Sequence, residues 1–263
     1  MREIQAKSGF ICDMDGVIYH GDSLLRGARD FLDWLKREGK QYLFLTNNSQ
    51  RTREELQQKL HRLGADVDAM CFYTASLATA SFLASQEPGG SAFVIGDAGL
   101  TNALYQAGIS MNDVDPDYVV VGETSSYSFE KVAHAINLVL AGARLIGTNP
   151  DFVLLTDRGQ FPGCGALIAP IERATGRKAY FLGKPNPLMI RHALRCLECR
   201  REEAVFIGDS METDIIAGIH SEVDTVLVLS GITTREDLVR YPYRPRYVLN
   251  GVGDILGEPS TDP

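Results

Sequence analysis

Four short polar clusters carry the residue types that chemistry on a phosphate ester needs. They are Asp13-Met14-Asp15-Gly16, Thr46-Asn47-Asn48, Gly183-Lys184-Pro185, and the stretch Gly208-Asp209-Ser210-Met211-Glu212-Thr213-Asp214. Each follows a short apolar run that reads as a β-strand: Gly9-Phe10-Ile11-Cys12, Tyr42-Leu43-Phe44-Leu45, Ala179-Tyr180-Phe181-Leu182 and Ala204-Val205-Phe206-Ile207. In a parallel sheet every carboxyl end lies on one edge, and open α/β folds bind ligands in the crevice there. Clusters far apart in sequence are therefore expected to converge.

Bringing Asp13, Asp15 and Asp209 together calls for a cation. Like charges repel, and each desolvated carboxylate loses on the order of several kcal/mol of hydration. A hard divalent ion resolves the conflict. Mg2+ suits the inventory best, because it takes oxygen ligands, keeps several waters and uses one or two carboxylates together with a substrate phosphate. The clusters contain no cysteine or histidine, which argues against zinc or copper. With phosphate charge neutralised by the metal, Lys184 supplies a further cation, and Thr46 and Asn47 supply hydrogen-bond donors. Phosphoryl transfer is mainly a matter of positioning and electrostatic stabilisation, and these are its parts. Singly, each residue has an ordinary use in a turn, at a helix N-terminus or as a solvated lysine. The conjunction is what carries the reading.

The elements that must position these residues alternate along the chain as strand and helix, the pattern of βαβ units and a parallel sheet. Helices are expected at Ala28 to Arg37, closing on Gly39, and after the capping box Thr52-Arg53-Glu54-Glu55. A third is expected at Ser76 to Ala84, and the breaker Glu87-Pro88-Gly89-Gly90 reads as a possible domain junction. A fresh α/β series follows, with strands at Ala92 to Ile95, Tyr118 to Val121 and Arg144 to Gly147. Its helices are at Leu100 to Ala107, Phe129 to Ala141 and near Ile168 to Thr175. The original rhythm then resumes with the strand Ala179 to Leu182 and the helix Pro187 to Leu197. After the strand Ala204 to Ile207 come a helix at Thr213 to His220 and strands at Thr225 to Leu229 and Tyr247 to Leu249. The simplest organisation is one α/β domain interrupted by another. Gly96-Asp97-Ala98-Gly99 lacks the spacing of a dinucleotide loop and reads as a turn.

The totals agree with two domains: 263 residues, 44% apolar and 23% charged, as in an ordinary globular protein. A net charge of -8 opposes binding to nucleic acid polymers or anionic membranes, so any phosphate must be held locally. The opening residues hold no apolar signal core and no stretch approaches the roughly 18 apolar residues of a membrane span, so the cytoplasm is the expected location. Five cysteines suit a reduced compartment better than a disulfide framework. Cys196 and Cys199, a CxxC pair inside an amphipathic stretch with no second pair to complete a zinc site, are expected to be buried for packing. His20, close behind the first strand, reads as solvated or hydrogen bonded.

On Ile11-Cys12-Asp13-Met14-Asp15-Gly16-Val17, Leu45-Thr46-Asn47, Gly183-Lys184-Pro185 and Gly208-Asp209 with Asp214, the sequence resembles the haloacid dehalogenase superfamily. Within it, Val121-Gly122-Glu123-Thr124, Thr148-Asn149-Pro150-Asp151, Cys164-Gly165-Ala166 and Val228-Leu229-Ser230-Gly231 resemble the capped NagD-type phosphatases. The resemblance covers nearly the whole chain. It implies a Rossmann-like parallel-sheet core from residues 1–78 and 181–263, with an α/β cap from residues 79–180 inserted into it. It also implies that Asp13 attacks phosphorus to form an aspartyl-phosphate, while Asp15 protonates the leaving oxygen and later activates water, dividing one hard displacement into two easier ones. The Asp13 carboxylate, the Asp15 main-chain carbonyl and the Asp209 carboxylate would bind Mg2+, with Asp214 one layer further out. Thr46, Asn47 and Lys184 would hold the phosphoryl group. An acid two residues beyond the nucleophile marks phosphatases within the superfamily.

Cap closure would exclude water and let the cap read the leaving group, with Asn149, Pro150, Asp151, Cys164 and Gly165 as candidates for that surface. The expected substrate is a small phosphorylated metabolite. The resemblance favours ribonucleoside 5'-monophosphates such as UMP, with sugar phosphates, pyridoxal phosphate and phosphoglycolate as alternatives. A noncatalytic phosphometabolite-binding protein is the contrasting class, opposed by the pairing of a nucleophile with an acid. Transfer to an acceptor other than water, and oligomerisation, stay open.

Overall fold

Residues 9–12 are buried along their whole length and form the strand β1 (Gly9–Cys12) of a six-stranded sheet. A strand covered on both faces reads as an unbroken apolar run, with no alternation. The structure, a computed structural model, describes residues 1–156 and 159–257. They form two compact units, one from Met1–Thr46, Leu56–Tyr73 and the chain from Pro187 on, the other from Asn47–Glu55 and Thr74–Asn186.

Around β1, the N-terminal part holds α1 (Arg2–Gln5), a small hairpin of β2 (Tyr19–His20) and β3 (Ser23–Leu24), α2 (Ala28–Arg37), β4 (Gln41–Thr46), α3 (Arg53–Arg62) and β5 (Phe72–Thr74). The second unit continues with α4 (Ala75–Gln86), β6 (Ser91–Ile95), α5 (Ala98–Gln106), β7 (Ser110–Met111), β8 (Tyr118–Val121), α6 (Phe129–Ala141) and β9 (Arg144–Gly147). Then come the antiparallel hairpin of β10 (Val153–Thr156) and β11 (Gly159–Pro162), α7 (Cys164–Thr175) and β12 (Tyr180–Phe181). The chain returns to the first unit through α8 (Leu188–Cys196) and β13 (Ala204–Gly208). A π-helical turn (Met211–Ile215) runs into α9 (Ile216–His220), and β14 (Asp224–Val228) and β15 (Tyr247–Leu249) follow.

The first unit's sheet runs β15-β14-β13-β1-β4-β5, and the pairings from β15 to β4 are all parallel. Helix α2 packs on it because its apolar residues recur at helical spacing: Ala28, Phe31, Leu32, Trp34 and Leu35 are buried, while Asp30, Asp33, Lys36 and Arg37 face outward. Phe10 of β1 meets Trp34 edge-on at 5.4 Å between ring centroids. Each such side chain, fully buried, contributes roughly 1.5–3 kcal/mol. Just past α2, Gly39 takes a positive φ of 62° that a Cβ would oppose. The expected capping box of α3 is formed in both directions, Glu55 N–H to Thr52 Oγ1 at 3.3 Å and Thr52 N–H to a Glu55 carboxylate oxygen at 2.8 Å.

The second unit has a five-stranded parallel sheet in the order β12-β9-β8-β6-β7. Two expectations from sequence are corrected here. The strand expected at Ala179–Leu182 is β12, and it belongs to this second sheet, pairing Tyr180 with Ile146 and Phe181 with Gly147. The Glu87–Gly90 breaker is a turn inside the second unit, closed by the Gly90 N–H on the Glu87 carbonyl, and not a domain junction. Besides the interval 79–180, this unit takes in segments 47–55, 74–78 and 181–186, where the Asn47 carbonyl accepts from Asn149 Nδ2 and the Gly183 N–H donates to the Thr148 carbonyl.

Cys196 is exposed and Cys199 half-buried, against the burial expected of the pair. The apolar face of α8 is carried by Met189, Ile190 and Ala193, and Cys196 lies off that face with its sulfur 3.1 Å from His192 Nε2. All five cysteines are free. Among the described residues no helix is long and apolar enough to cross a membrane.

Candidate active site

Three of the four polar clusters leave adjacent strands at one edge of the six-stranded sheet: Asp209 after β13, Asp13 after β1, and Thr46 at the end of β4. From β1 the chain builds outward to β4 and β5 on one side, and from β13 to β14 and β15 on the other. Strand order therefore reverses between β1 and β13, the place where open α/β sheets bind ligands. The register pairs Cys12 with Ile207, and the Asp13 N–H donates to the Ile207 carbonyl at 2.8 Å, so Asp13 begins where the ladder ends. Carboxylate oxygens of Asp13, Asp209 and Asp214 all lie within 4.8 Å of one another.

That crowding is held in place by main-chain donors. One Asp214 carboxylate oxygen accepts the N–H groups of Asp209 at 3.2 Å and Ser210 at 3.1 Å, which folds the turn after β13 back on itself. Ser210 Oγ accepts the Thr213 N–H at 3.2 Å and starts the π-helical turn that carries Asp214. The loop after β14 supplies the rest: Ile232 N–H donates to Asp209 Oδ2 at 2.8 Å, and Thr233 N–H to the Asp209 carbonyl at 3.2 Å. Ser230 Oγ donates to the Gly16 carbonyl at 2.7 Å. A Cβ on Gly231 would collide with the Asp209 side chain, so only glycine lets this loop approach so closely. In the sequence only a Ser-Gly pair behind an apolar strand hints at the part that Ser230 and Gly231 play.

Asp15 is exposed, with His20 Nδ1 at 3.4 Å from Asp15 Oδ1. Between the two acids Met14 is fully buried, and its carbonyl accepts N–H groups from Val17, Ile18 and Tyr19. Asp13 and Asp15 thus stand on either side of an anchored residue, in a turn that Gly16 completes at a positive φ of 77°. The neighbouring thiol of Cys12 is no rival nucleophile: burial first, and the Asp13 charge second, push its pKa far above the ordinary range.

The fourth cluster does not share that edge. Lys184 follows β12 of the second sheet, where the Gly183 N–H donates to the Thr148 carbonyl at 2.7 Å. The single sheet edge expected for all four clusters therefore holds for three. Within the second unit Lys184 is buried, and the Asn47 side chain grips its main chain: Asn47 Oδ1 accepts the Lys184 N–H at 2.8 Å and Asn47 Nδ2 donates to the Lys184 carbonyl at 3.1 Å. Asn47 Nδ2 also donates to an Asp151 carboxylate oxygen at 2.9 Å, so both of its amide hydrogens are engaged.

Of the residues expected on a substrate-reading surface, Asn149 and Cys164 are fully buried. The Cys164 thiol donates to the Val121 carbonyl at 3.1 Å and is pushed up to about 11, chiefly by burial. Gly165 is also buried, and it packs so tightly on the Pro150 carbonyl that a Cβ would not fit. Pro150 and Asp151 are the half-buried members of the set.

A buried acid stands out in this unit without having been assigned any role from sequence. Glu123, 1% exposed, follows β8. Its Oε2 accepts from the Ser49 N–H at 2.9 Å and from Ser49 Oγ at 3.0 Å, and its Oε1 accepts from Asn149 Nδ2 at 3.0 Å. Burial raises its pKa, and these hydrogen bonds oppose the rise. In the sequence Glu123 is a charged residue one glycine beyond the run Tyr118-Val119-Val120-Val121.

The group Asp13, Asp209 and Asp214 fits a hard divalent cation: its ligand atoms are carboxylate oxygens, with neither thiol nor imidazole among them. Comparison with known proteins gives the family. Residues 10–110 match the haloacid dehalogenase-like hydrolase family, and residues 181–255 match the HAD-hydrolase-like family. The chain is 43% identical over 246 residues to the dihydroxyacetone phosphatase of Corynebacterium glutamicum (strain R), covering 94% of this chain and 90% of that one. It is 42% identical over 245 residues to the ribonucleotide monophosphatase NagD of Escherichia coli (strain K12), covering 93% of this chain and 96% of that one. The solved structure of NagD from E. coli K-12 matches with a TM-score of 0.90 at 41% identity, over 95% of this chain and 98% of that one.

Proposed function

The chain belongs to the haloacid dehalogenase-like hydrolases and is a phosphoric monoester hydrolase, and from that premise we propose Mg2+-dependent hydrolysis of small phosphate monoesters through a phosphorylated Asp13. The observation that carries the reading is the set of carboxylates of Asp13, Asp209 and Asp214 within 4.8 Å at the reversal of strand order.

Asp13 attacks phosphorus, and the bond to the leaving oxygen breaks as Asp15 delivers a proton to that oxygen. Asp15 then takes a proton from water, whose oxygen displaces phosphate from Asp13 and restores both acids. The Asp13 carboxylate, the Asp15 main-chain carbonyl and the Asp209 carboxylate would hold Mg2+, and Asp214 keeps the Asp209 turn in shape. When bound, the ion neutralises phosphoryl charge that the carboxylates would otherwise repel. Thr46, Asn47 and Lys184 hold the phosphoryl oxygens. Because the Asn47 amide is engaged by Lys184 and Asp151, the donor Asn47 brings to an anion is its main-chain N–H.

The substrates proposed first are ribonucleoside 5'-monophosphates such as UMP, in keeping with the 42% identity to NagD. Dihydroxyacetone phosphate is the second reading, favoured by the C. glutamicum relative. Residues 79–180 are proposed to act as the specificity domain, with Pro150 and Asp151 as its accessible candidates. Action in the cytoplasm is proposed from the five cysteines, none of which is in a disulfide, as suits a reducing compartment.

The test is phosphate release from nucleoside monophosphates, triose and sugar phosphates, pyridoxal phosphate and phosphoglycolate, ranked by kcat/KM. Release from none of them, at any Mg2+ concentration, would favour a noncatalytic phosphometabolite binder. For Asp15→Asn, kcat on UMP is expected to fall by roughly 10²–10⁴-fold. The first step on p-nitrophenyl phosphate, whose leaving group needs no proton, should fall much less. Equal losses on both esters would remove Asp15 as the acid.

A further inference from the structure

Buried carboxylates are retained where hydrogen bonds satisfy them, because an unsatisfied one costs several kcal/mol. Glu123 is such a group, and its partners lie on two separate stretches of chain. Ser49 binds it with both N–H and Oγ, and Ser49 Oγ in turn accepts the Glu123 N–H at 2.9 Å. Asn149 binds its other oxygen and, with the same Nδ2, donates to the Asn47 carbonyl at 2.8 Å. Asn149 Oδ1 accepts the Asp151 N–H at 3.1 Å. One carboxylate thus fixes Ser49 directly and Asn47 through Asn149. Asn47 is the residue that clamps the Lys184 main chain from both its N–H and its carbonyl.

We propose that Glu123 is a positioning residue for phosphoryl hydrolysis: it sets the placement of segment 47–50, and through it of Asn47 and Lys184. This rests on the reading that Asn47 and Lys184 hold the phosphoryl group. Two equivalent acceptor oxygens are essential to the arrangement. Glutamine at this position has one, so either Ser49 or Asn149 must face an N–H with an N–H. If the Asn149 amide turns over to escape that clash, its Nδ2 leaves the Asn47 carbonyl and its Oδ1 leaves the Asp151 N–H. The disturbance then reaches Asn47 whichever way glutamine settles. A packing role alone predicts no such path, since Glu123→Gln keeps volume and shape.

The test compares the wild-type protein, Glu123→Gln and Ser49→Ala for phosphate release, with inorganic phosphate as a competitive inhibitor. A misplaced clamp is expected to lower kcat/KM by roughly 10- to 100-fold, with a rise in KM and in the phosphate inhibition constant. A purely structural lesion lowers the active fraction, which reduces kcat and leaves KM and the inhibition constant where they were. That second pattern in a folded Glu123→Gln, or unchanged kinetics, overturns the proposal. Should Glu123→Gln fail to fold, Ser49→Ala carries the test alone, because it removes one tie without altering charge, and an unchanged inhibition constant there is equally decisive against it. Asp13→Asn in the same assay separates the two claims. Its inactivity leaves the hydrolytic reading standing whatever Glu123 does, and its activity brings that reading down together with the positioning role.

Discussion

Asp13→Asn is expected to reduce kcat for phosphate release by on the order of 10⁴- to 10⁶-fold, the range seen when a covalent nucleophile is removed and only binding and electrostatics remain. An amide is isosteric with the carboxylate but a far poorer nucleophile. The fold should not suffer. The Asp13 main chain is held by the Ile207 carbonyl, and its side chain stands among the carboxylates of Asp209 and Asp214, so the substitution relieves repulsion and breaks no packing. Melting temperature is therefore expected to stay level or to rise by a few degrees. Acid quenching during turnover should trap labelled phosphate on the wild-type chain and none on the variant. Normal turnover by Asp13→Asn would falsify the nucleophile assignment.

Removing divalent metal is expected to have the next largest effect. Two unit charges about 5 Å apart repel by about 3 kcal/mol at an effective dielectric near 20, and the site holds three carboxylates at that spacing before a phosphate dianion arrives. Loss of a metal that stabilises transition-state charge by several kcal/mol corresponds to on the order of 10³-fold in kcat. EDTA should produce that loss and excess Mg2+ should reverse it. Calorimetry supplies a readout independent of turnover: Mg2+ binding only the folded protein raises its melting temperature, and Asp209→Asn should shrink that rise. Full activity in excess EDTA, or equal stabilisation of both proteins by Mg2+, would contradict the metal assignment.

Much of the architecture could be read locally. The buried spacing Ala28, Phe31, Leu32 and Leu35 with Gly39 beyond it fixes α2, and the reciprocal bonds of Thr52 and Glu55 fix the start of α3. The apolar run at residues 9–12 marks β1 as a strand, and the sheet order places it centrally. The short elements were not legible in the same way. Strands of two residues such as β2, β3 and β7 have no period to detect, and the π-helical turn at Met211–Ile215 shares its pattern with an ordinary helix start.

The sequence by itself determined the chemical inventory: an acid pair at Asp13 and Asp15 behind the first strand, a second acidic turn at Asp209 and Asp214, and oxygen ligands for a hard cation. Residue type and spacing carry that information, because reactivity belongs to the side chain and strand ends are marked by a change of polarity. Tertiary structure decided which sheet takes Tyr180–Phe181, and with it that Lys184 leaves a different sheet from Asp13. It also turned Asn149 and Cys164 inward, engaged the Asn47 amide, and gave Glu123 two partners on distant segments. Strand partnership and buried hydrogen bonds are agreements between segments far apart in the chain, and neither segment alone records them.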